Sequence, residues 1–346
     1  MAPLIVIGTG LAGFNLVKEL RRLDKETPVI MRTSDDGRNY SKPMLSNGFA
    51  KQKSADDLAM AQPEQVAAAL NVDLRTEVEV TAIDAASKSI TVGEESISYG
   101  KLVIATGADV FRPPLEGDGQ ALVYSVNDLV DYGKFRAALE GKKKVLIVGG
   151  GLIGCEFAND LIGAGFEVDV VEPMGRCLPT LLPEQASHAV QQGLEAAGVK
   201  FHFGPFVKAV NNIDGGVRVT LSDDAQVDAD IVLSAVGLRP RIALAKTAGV
   251  QINRGIVVDR HLKTSDDNIY SLGDCAEVEG YVLPYILPLM AASRALAKTL
   301  AGEPTEVSYG VMPVTIKTPG VHTVVCPPPH GPGGAGAGEG GGLVIK

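Results

Sequence analysis

Residues 144–172 constrain the fold of this chain more than any other stretch. An apolar run at 145–148 is followed by G-G-G-L-I-G at 149–154, by a segment compatible with a helix up to Gly163, and by a second apolar run that ends in Glu172. A short, continuously apolar run is typical of a buried parallel strand. The order of strand, glycine turn, helix and strand therefore predicts a βαβ unit.

The glycines at 149, 151 and 154 have the spacing with which such a unit binds a dinucleotide. Gly149 permits the tight turn, Gly151 lets the backbone approach a pyrophosphate, and Gly154 lets the helix pack against the strand. The helix N-terminus supplies free N–H donors. Glu172 is placed to accept hydrogen bonds from both ribose hydroxyls of NAD and would repel the 2′-phosphate of NADP. A parallel α/β unit without a ligand is the alternative. The predicted NAD-binding residues are Gly149, Gly151, Leu152, Ile153, Gly154 and Glu172.

The N-terminus repeats this pattern. An apolar strand at 4–7 leads into G-T-G-L-A-G at 8–13 and a helix to about residue 23, so we expect the chain to bind two dinucleotides. The next predicted strand ends in R-T-S at 32–34, where the second fingerprint has an acid. An adenosine ribose could instead bond to the Thr33 hydroxyl, the Ser34 backbone or a displaced Asp35. For Asp35, a solvated turn residue is an equally good interpretation.

The composition excludes several classes of function. The chain has 346 residues, a formal net charge of −9 and a pI near 5.2, which argues against general binding to nucleic acid or anionic membranes. The longest apolar stretch is short and contains prolines, and no basic region precedes the first strand. We therefore expect a cytoplasmic protein without membrane insertion. Both a monomer and a homodimer are open as its oligomeric state. The four cysteines are far apart, which predicts reduced, buried thiols and neither a metal site nor a disulfide.

The second half of the chain repeats the plan of the first. Short strands follow each fingerprint unit, and in the second half they are predicted at 200–203, 217–221 and 227–232. A further strand at 268–274 still needs a sheet to join, so we expect the second unit to be inserted in the first. A helix opened by Pro288 and a strand at 311–317 follow. The glycine- and proline-rich remainder cannot bury enough apolar surface to order itself.

Four separated motifs carry a resemblance to a known family. They are G-T-G-L-A-G at 8–13, I-A-T-G at 104–107, G-G-G-L-I-G at 149–154 and I-Y-S-L-G-D at 269–274. With these motifs the chain resembles the two-dinucleotide flavoprotein reductases related to glutathione reductase, and within them the NADH-dependent rubredoxin and ferredoxin reductases. The segments at 40–46, 154–158 and 312–319 are most similar to the rubredoxin reductase branch. The resemblance covers residues 4–319.

The resemblance implies an α/β fold with two Rossmann-like domains, one for FAD and one for NAD, each a three-layer ββα arrangement. The expected FAD-binding domain comprises residues 1–110 and 236–308, and the NAD-binding domain, residues 111–235, is inserted in it. Members of the family continue into an interface domain. Residues 309–346 are expected to form a truncated or atypical version of it with a disordered tail.

The resemblance also assigns roles to residues at matching positions. The adenosine half of FAD would contact Gly8, Thr9, Gly10, Leu11, Ala12, Gly13, Thr33 and Ser34. The other predicted contacts to FAD are Lys42 (phosphate or ring edge), Val80 (adenine), Asp274 (ribityl chain, or else a turn cap) and Lys317 (isoalloxazine). The remaining cofactor-binding predictions lie at strand ends: Thr106, Gly107, Gly237 and Gly273.

Glu156 and Lys42 are the predicted catalytic residues. The resemblance places Glu156 beside the flavin and the nicotinamide, with Lys42 as a candidate partner. The position of Glu156, two residues after Gly154, also predicts that it lies in the first turn of the helix, where the dipole alone stabilises a carboxylate. We favour the role beside the flavin.

The implied activity is hydride transfer from NADH to FAD, followed by single-electron transfer to a small iron carrier, with rubredoxin as the first choice. The segment at 40–49 contains no cysteine, so a disulfide relay is not indicated. A ferredoxin reductase of the same fold and a non-catalytic NAD/FAD-binding sensor are the alternatives. Lys51 and Lys53 are candidate basic residues for docking an acidic carrier.

Overall fold

The structure, a computed structural model, describes residues 2–318, 323–326 and, as backbone only, 342–345. Five parallel strands form the N-terminal sheet. In spatial order they are Ile269–Ser271, Lys101–Ile104, Leu4–Ile7, Val29–Arg32 and Asp73–Arg75. The edge strand Ile269–Ser271 comes after the whole second unit in the chain. The prediction of one α/β unit inserted in another is therefore confirmed.

A second parallel sheet, the central sheet, carries the second fingerprint. Its strands, in spatial order, are Val123–Tyr124, Ile231–Ser234, Lys144–Val148, Glu167–Glu172 and Lys200–Phe203. The strand predicted at 227–232 is wrong, because the chain changes sheets at Asp230. The Asp230 carboxylate accepts the backbone N–H groups of Lys143 (2.6 Å) and Lys144 (2.9 Å), which lets Ile231–Ser234 enter the parallel sheet.

A three-stranded antiparallel meander covers one face of each parallel sheet. The first contains Val80–Asp84, Ser89–Val92 and Glu95–Ser98, and the second contains Val207–Ile213, Gly216–Leu221 and Gln226–Ala229. The strand Val207–Ile213 was not predicted, because its exposed asparagines at 211 and 212 break the apolar alternation toward its end.

Helices cover the other face of each sheet and complete three layers, except that Ala243–Thr247 packs against the first meander. The α-helices are Leu11–Leu23, Ala55–Leu58, Pro63–Leu70, Leu129–Ala138, Leu152–Gly163, Glu184–Ala196, Ala243–Thr247 and Ile286–Leu300, and the 3-10 helices are Lys42–Asn47 and Gln120–Leu122. The first helix packs against Ile286–Leu300 through a shared apolar cluster. Leu16 and Leu20 in this cluster are fully buried, and each burial stabilises the fold by about 1.5–3 kcal/mol. Ile286–Leu300 begins two residues before Pro288, which therefore does not open it.

A small antiparallel pair joins the two halves where the chain crosses between them. Ala108–Val110 pairs with Leu238–Pro240, and the Arg241 side chain donates to Asp109 Oδ1 (2.5 Å). Backbone bonds from Arg241 to Gly107 and from Phe111 to Gly237 hold the two predicted corners side by side. The carboxyl ends of the two sheets are thus held at a defined separation.

The remaining strands are short. They form the pairs Asn39–Tyr40 with Ala59–Ala61 and Ile256–Val258 with Ala276–Val278, and a C-terminal antiparallel sheet of Val314–Ile316, Thr323–Cys326 and Gly342–Ile345. The strand predicted at 311–317 is therefore shorter than expected and has partners. Nearly all of the predicted disordered tail, residues 327–341, lies outside the described residues. Among the described helices, none is both long and apolar enough to cross a membrane.

Candidate active site

A cleft of about 1350 Å³ opens at the carboxyl end of the N-terminal sheet and extends to the helix of the second fingerprint, Leu152–Gly163. Pockets for small ligands commonly measure about 300–1,000 Å³, so this cleft has room for an extended ligand such as a dinucleotide. The predicted site residues that line it are Gly8, Thr9, Gly10, Leu11, Ala12, Thr33, Ser34, Lys42, Thr106, Gly107, Leu152, Ile153, Glu156, Asp274 and Lys317. Those outside its lining are Gly13, Val80, Gly149, Gly151, Gly154, Glu172, Gly237 and Gly273.

The first fingerprint has the geometry of a phosphate cradle. A Cβ atom on Gly8 would overlap the carbonyl oxygen of Ala105, and one on Gly13 would overlap the carbonyl of Gly8. Gly10, in contrast, has no described atom within 4 Å of an added Cβ, so its backbone faces open space. Thr9 Oγ1 is buried there without a hydrogen-bond partner among the described residues. This hydroxyl and the N–H groups of the helix N-terminus, which has no side-chain cap, can donate hydrogen bonds to a bound pyrophosphate. The residues present therefore fit FAD.

The second fingerprint repeats this geometry. Gly149 has a φ of +105°, and Gly154 lies so close to the Gly149 carbonyl that a Cβ would overlap it, whereas Gly151 faces open space within the described structure. The buried Glu172 carboxylate accepts the N–H groups of Gly150 (2.7 Å) and Met174 (2.8 Å). These bonds hold the carboxylate at the glycine turn, where a ribose of NAD would lie. The residues present therefore fit NAD.

Glu156 lies where three parts of the chain meet. Its Oε2 atom is 2.8 Å from the Lys317 ammonium and accepts a 2.8 Å hydrogen bond from the Ser46 hydroxyl. The candidate pairing of Glu156 with Lys42 is therefore wrong in this structure. Glu156 is also not in the first turn, because the helix begins at Leu152 and has no acid in its first turn. The contacts with Lys317 and Ser46, and not the helix dipole, fix the position of the Glu156 carboxylate.

Lys42 faces a different part of the cleft. Its ammonium donates to Asn127 Oδ1 (2.9 Å) and lies 3.8 Å from the Asp274 carboxylate. Asn127 also donates to the Ala108 carbonyl at the crossing between the halves (2.9 Å). Because Lys42 and Asp274 are partly exposed in the cleft, their ion pair adds little stability, and both charges remain accessible to a ligand.

The adenosine end of the cleft differs from the predicted clamp. Arg32, which stands where an acid was expected, is buried and paired with Asp73 (2.9 Å), so it does not enter the cleft. The Thr33 hydroxyl accepts the N–H of Asp35 (3.2 Å). Burial, together with the nearby Asp128 carboxylate, raises the pKa of Asp35 above its usual range. Val80 begins the first strand of the first meander, its side chain is packed in an apolar cluster, and it is not among the residues that line the cleft, so its contact with the adenine stays a prediction.

Three residues at the site were missed by the sequence interpretation. Ser46 and Asn127 carry short side chains without a motif of their own. Asp160, one turn after Glu156, accepts the N–H groups of Phe49 (2.9 Å) and Ala50 (2.9 Å) and so fixes the segment after Lys42–Asn47 against the helix. Burial raises the pKa of Asp160. An acid four residues after Glu156, on the same helix face, was the available signal.

Three of the four cysteines are buried as predicted, and one lines the cleft. Cys155, Cys177 and Cys275 are buried free thiols, but Cys326 is only half-buried and lines the cleft. Lys51 follows Ala50, which packs against Gly163 at the end of the helix Leu152–Gly163, about 9 Å along its axis from Phe157 in the cleft wall. Lys51 and Lys53 are not among the residues that line the cleft, and their role in docking a carrier stays a prediction.

Two dinucleotide fingerprints, with the first fingerprint and the start of the second-fingerprint helix lining one cleft, define a two-dinucleotide oxidoreductase. The chain belongs to the pyridine nucleotide-disulphide oxidoreductase family, whose sequence model matches residues 2–298. A model of the rubredoxin binding C-terminal domain matches residues 306–342. The resemblance inferred from the motifs is confirmed, and so are FAD and NAD as the cofactors.

Individual relatives match over most of the chain. The Rubredoxin-NAD(+) reductase of Alcanivorax borkumensis is 66% identical over 336 residues, which cover 97% of this chain and 88% of that protein. The Rubredoxin-NAD(+) reductase of Acinetobacter baylyi is 43% identical over 337 residues, which cover 95% and 86%. Among solved structures, the ferredoxin reductase for the CYP199A2 system from Rhodopseudomonas palustris matches with a TM-score of 0.86 and 26% identity, covering 94% of this chain and 82% of that one.

Proposed function

We propose that the protein is an NADH-dependent flavoprotein reductase that passes electrons from FAD, one at a time, to a rubredoxin-type iron carrier. The observation that carries this proposal is that the first fingerprint and the first turns of the second-fingerprint helix line one cleft, whose wall includes the ion pair of Glu156 and Lys317. The names of two relatives, both covered over most of their length, support the carrier. So does the match of residues 306–342 to a rubredoxin binding domain.

The chain's own residues bind and align two cofactors. When bound, FAD accepts a hydride from NADH and can release the two electrons singly. The glycine turns position the pyrophosphates, Glu172 selects NADH by its charge, and Asp274 and Lys42 face the cleft to hold the flavin half of FAD. The segment 40–49 beside Glu156 contains no cysteine, which supports direct electron transfer without a disulfide relay. A cytoplasmic location, where NADH and reduced thiols are available, is part of the proposal.

A side-by-side reduction of rubredoxin and ferredoxin tests this function. NADH is added anaerobically to the FAD-loaded protein with either carrier, and carrier reduction is followed by absorbance. We expect one NADH to reduce two rubredoxins, with a second-order rate well above that for ferredoxin. A faster reaction with ferredoxin would favour the ferredoxin reductase alternative. No steady NADH oxidation with an artificial one-electron acceptor would instead favour a non-catalytic sensor.

A further inference from the structure

Ser46 joins three segments that are far apart in the sequence. It lies in the 3-10 helix Lys42–Asn47, where the backbone departs from helical geometry (φ −94°, ψ 26°). Its side chain meets Glu156 of the second-fingerprint helix and Lys317 of the C-terminal segment, with Oγ to Nζ at 2.7 Å. The Ser46 side chain is buried. The Ser46 hydroxyl therefore connects the first dinucleotide unit, which carries it, to the second unit and to the C-terminal segment.

The direction of these hydrogen bonds follows from the number of donors. The Lys317 ammonium has three protons, and its acceptors are the Pro43 carbonyl, Ser46 Oγ and Glu156 Oε2. Ser46 therefore accepts from Lys317 and donates its single proton to Glu156 (2.8 Å). The other carboxylate oxygen, Oε1, accepts the backbone N–H of Lys317 at 3.3 Å. Glu156 and Lys317 are thus each held at more than one point.

We propose that Ser46 is a positioning residue for electron transfer between NADH and the flavin. It holds the Lys317 ammonium and the Glu156 carboxylate as an oriented pair at the wall of the cleft, and it ties the C-terminal segment to the hydride-transfer site. Lys42 does not perform this role, because its ammonium is directed to Asn127 and Asp274. The proposal rests on the proposed function, since it requires that a flavin and a nicotinamide meet at this wall.

The charge balance beside the flavin should depend on the hydroxyl. In Ser46→Ala, Glu156 loses a hydrogen-bond donor, so its negative charge is less neutralised, and Lys317 is less firmly held. Both changes disfavour the negatively charged reduced flavin. We expect a lower midpoint potential of the bound flavin and a roughly tenfold lower rate of its reduction at saturating NADH, with little change in the NADH concentration that gives half of this rate, because hydrogen bonds to charged groups are the strong ones.

The experiment measures FAD content, midpoint potential and single-turnover reduction by NADH in four variants: Ser46→Ala, Ser46→Thr, Lys317→Met and the double variant Ser46→Ala/Lys317→Met. Ser46→Thr keeps the hydroxyl and should restore both readouts. In the Lys317→Met background, Ser46→Ala should have a smaller effect than in the wild type, because it acts partly through the missing ammonium. Ser293→Ala is the matched control, since Ser293 is fully buried and its hydroxyl has no partner among the described residues.

Two results would overturn the inference. One is a Ser46→Ala protein whose potential and reduction rate equal those of the wild type and of Ser293→Ala. The other is a full, additive effect of Ser46→Ala in the Lys317→Met background, which would assign the loss to general packing. Failure of the wild type to bind FAD or to be reduced by NADH would instead contradict the proposed function.

Discussion

Glu172 should control the choice of NADH over NADPH, and Glu172→Gln is the sharpest perturbation. The glutamine keeps the length of the side chain and one acceptor oxygen but removes the charge. In the structure both carboxylate oxygens accept backbone N–H groups, at 2.7 Å from Gly150 and 2.8 Å from Met174. Glu172→Ala would leave both N–H donors without this acceptor and so would also destabilise the protein. Weaker cofactor binding could then not be separated from lower stability.

The expected size follows from the strength of charge-assisted bonds. Loss of the carboxylate contact with a ribose should cost on the order of 1–3 kcal/mol, which corresponds to a KM for NADH raised by about 5- to 150-fold. The specificity constant for NADPH should rise, because the 2′-phosphate no longer meets a negative charge. The ratio of the specificity constant for NADH to that for NADPH should therefore fall, because the first decreases and the second increases.

The assay is steady-state turnover of NADH and NADPH with an artificial one-electron acceptor, which needs no protein carrier. Glu167→Gln is the matched control, because Glu167 begins the same strand and is exposed. It should leave the cofactor preference unchanged. Comparable specificity constants for NADH and NADPH in the wild type would refute the assignment of Glu172, and an unchanged ratio in Glu172→Gln would remove it from the ribose site.

Three further predictions follow from the described residues. Gly10→Ala should keep the fold but weaken FAD binding at least tenfold in an FAD titration, because its Cβ would occupy the open space of the cradle. Gly13→Ala should instead lower the free energy of unfolding in urea by roughly 1–3 kcal/mol, because its Cβ would overlap the backbone of Gly8. Cys326→Ser, the cysteine substitution at the cleft, should leave NADH-to-acceptor turnover within a few-fold of the wild type, and a large loss with FAD still bound would indicate a thiol mechanism. The raised pKa of Asp35 means that its ionisation is disfavoured in the folded state, so its contribution to the stability of the wild type should fall as the pH rises above the ordinary value of 3.8 and through the raised folded-state pKa. Asp35→Asn should therefore gain stability relative to the wild type over this range in urea unfolding of the FAD-free protein, and a difference that does not change with pH would show that Asp35 contributes nothing.

The sequence alone determined the parts of this protein that depend on local backbone requirements. The turns at Gly8 and Gly149 require a positive φ, and the positions of Gly13 and Gly154 leave no room for a Cβ atom. The fingerprints can therefore be recognised in the sequence without any knowledge of the tertiary packing. The acid at the end of the strand Glu167–Glu172 is equally local. The order of these units along the chain was enough to predict that one is inserted in the other.

Tertiary structure alone decided which charges meet in the cleft. Glu156 pairs with Lys317, 161 residues away, instead of Lys42, and Ser46 becomes part of the site because the 3-10 helix that carries it packs against the second-fingerprint helix. The same holds for the burial of Arg32 and for Val80, which lies outside the cleft lining. An ion pair between distant segments forms where their packing brings two side chains within about 4 Å, and for such pairs the spacing along the chain carries no information about that distance.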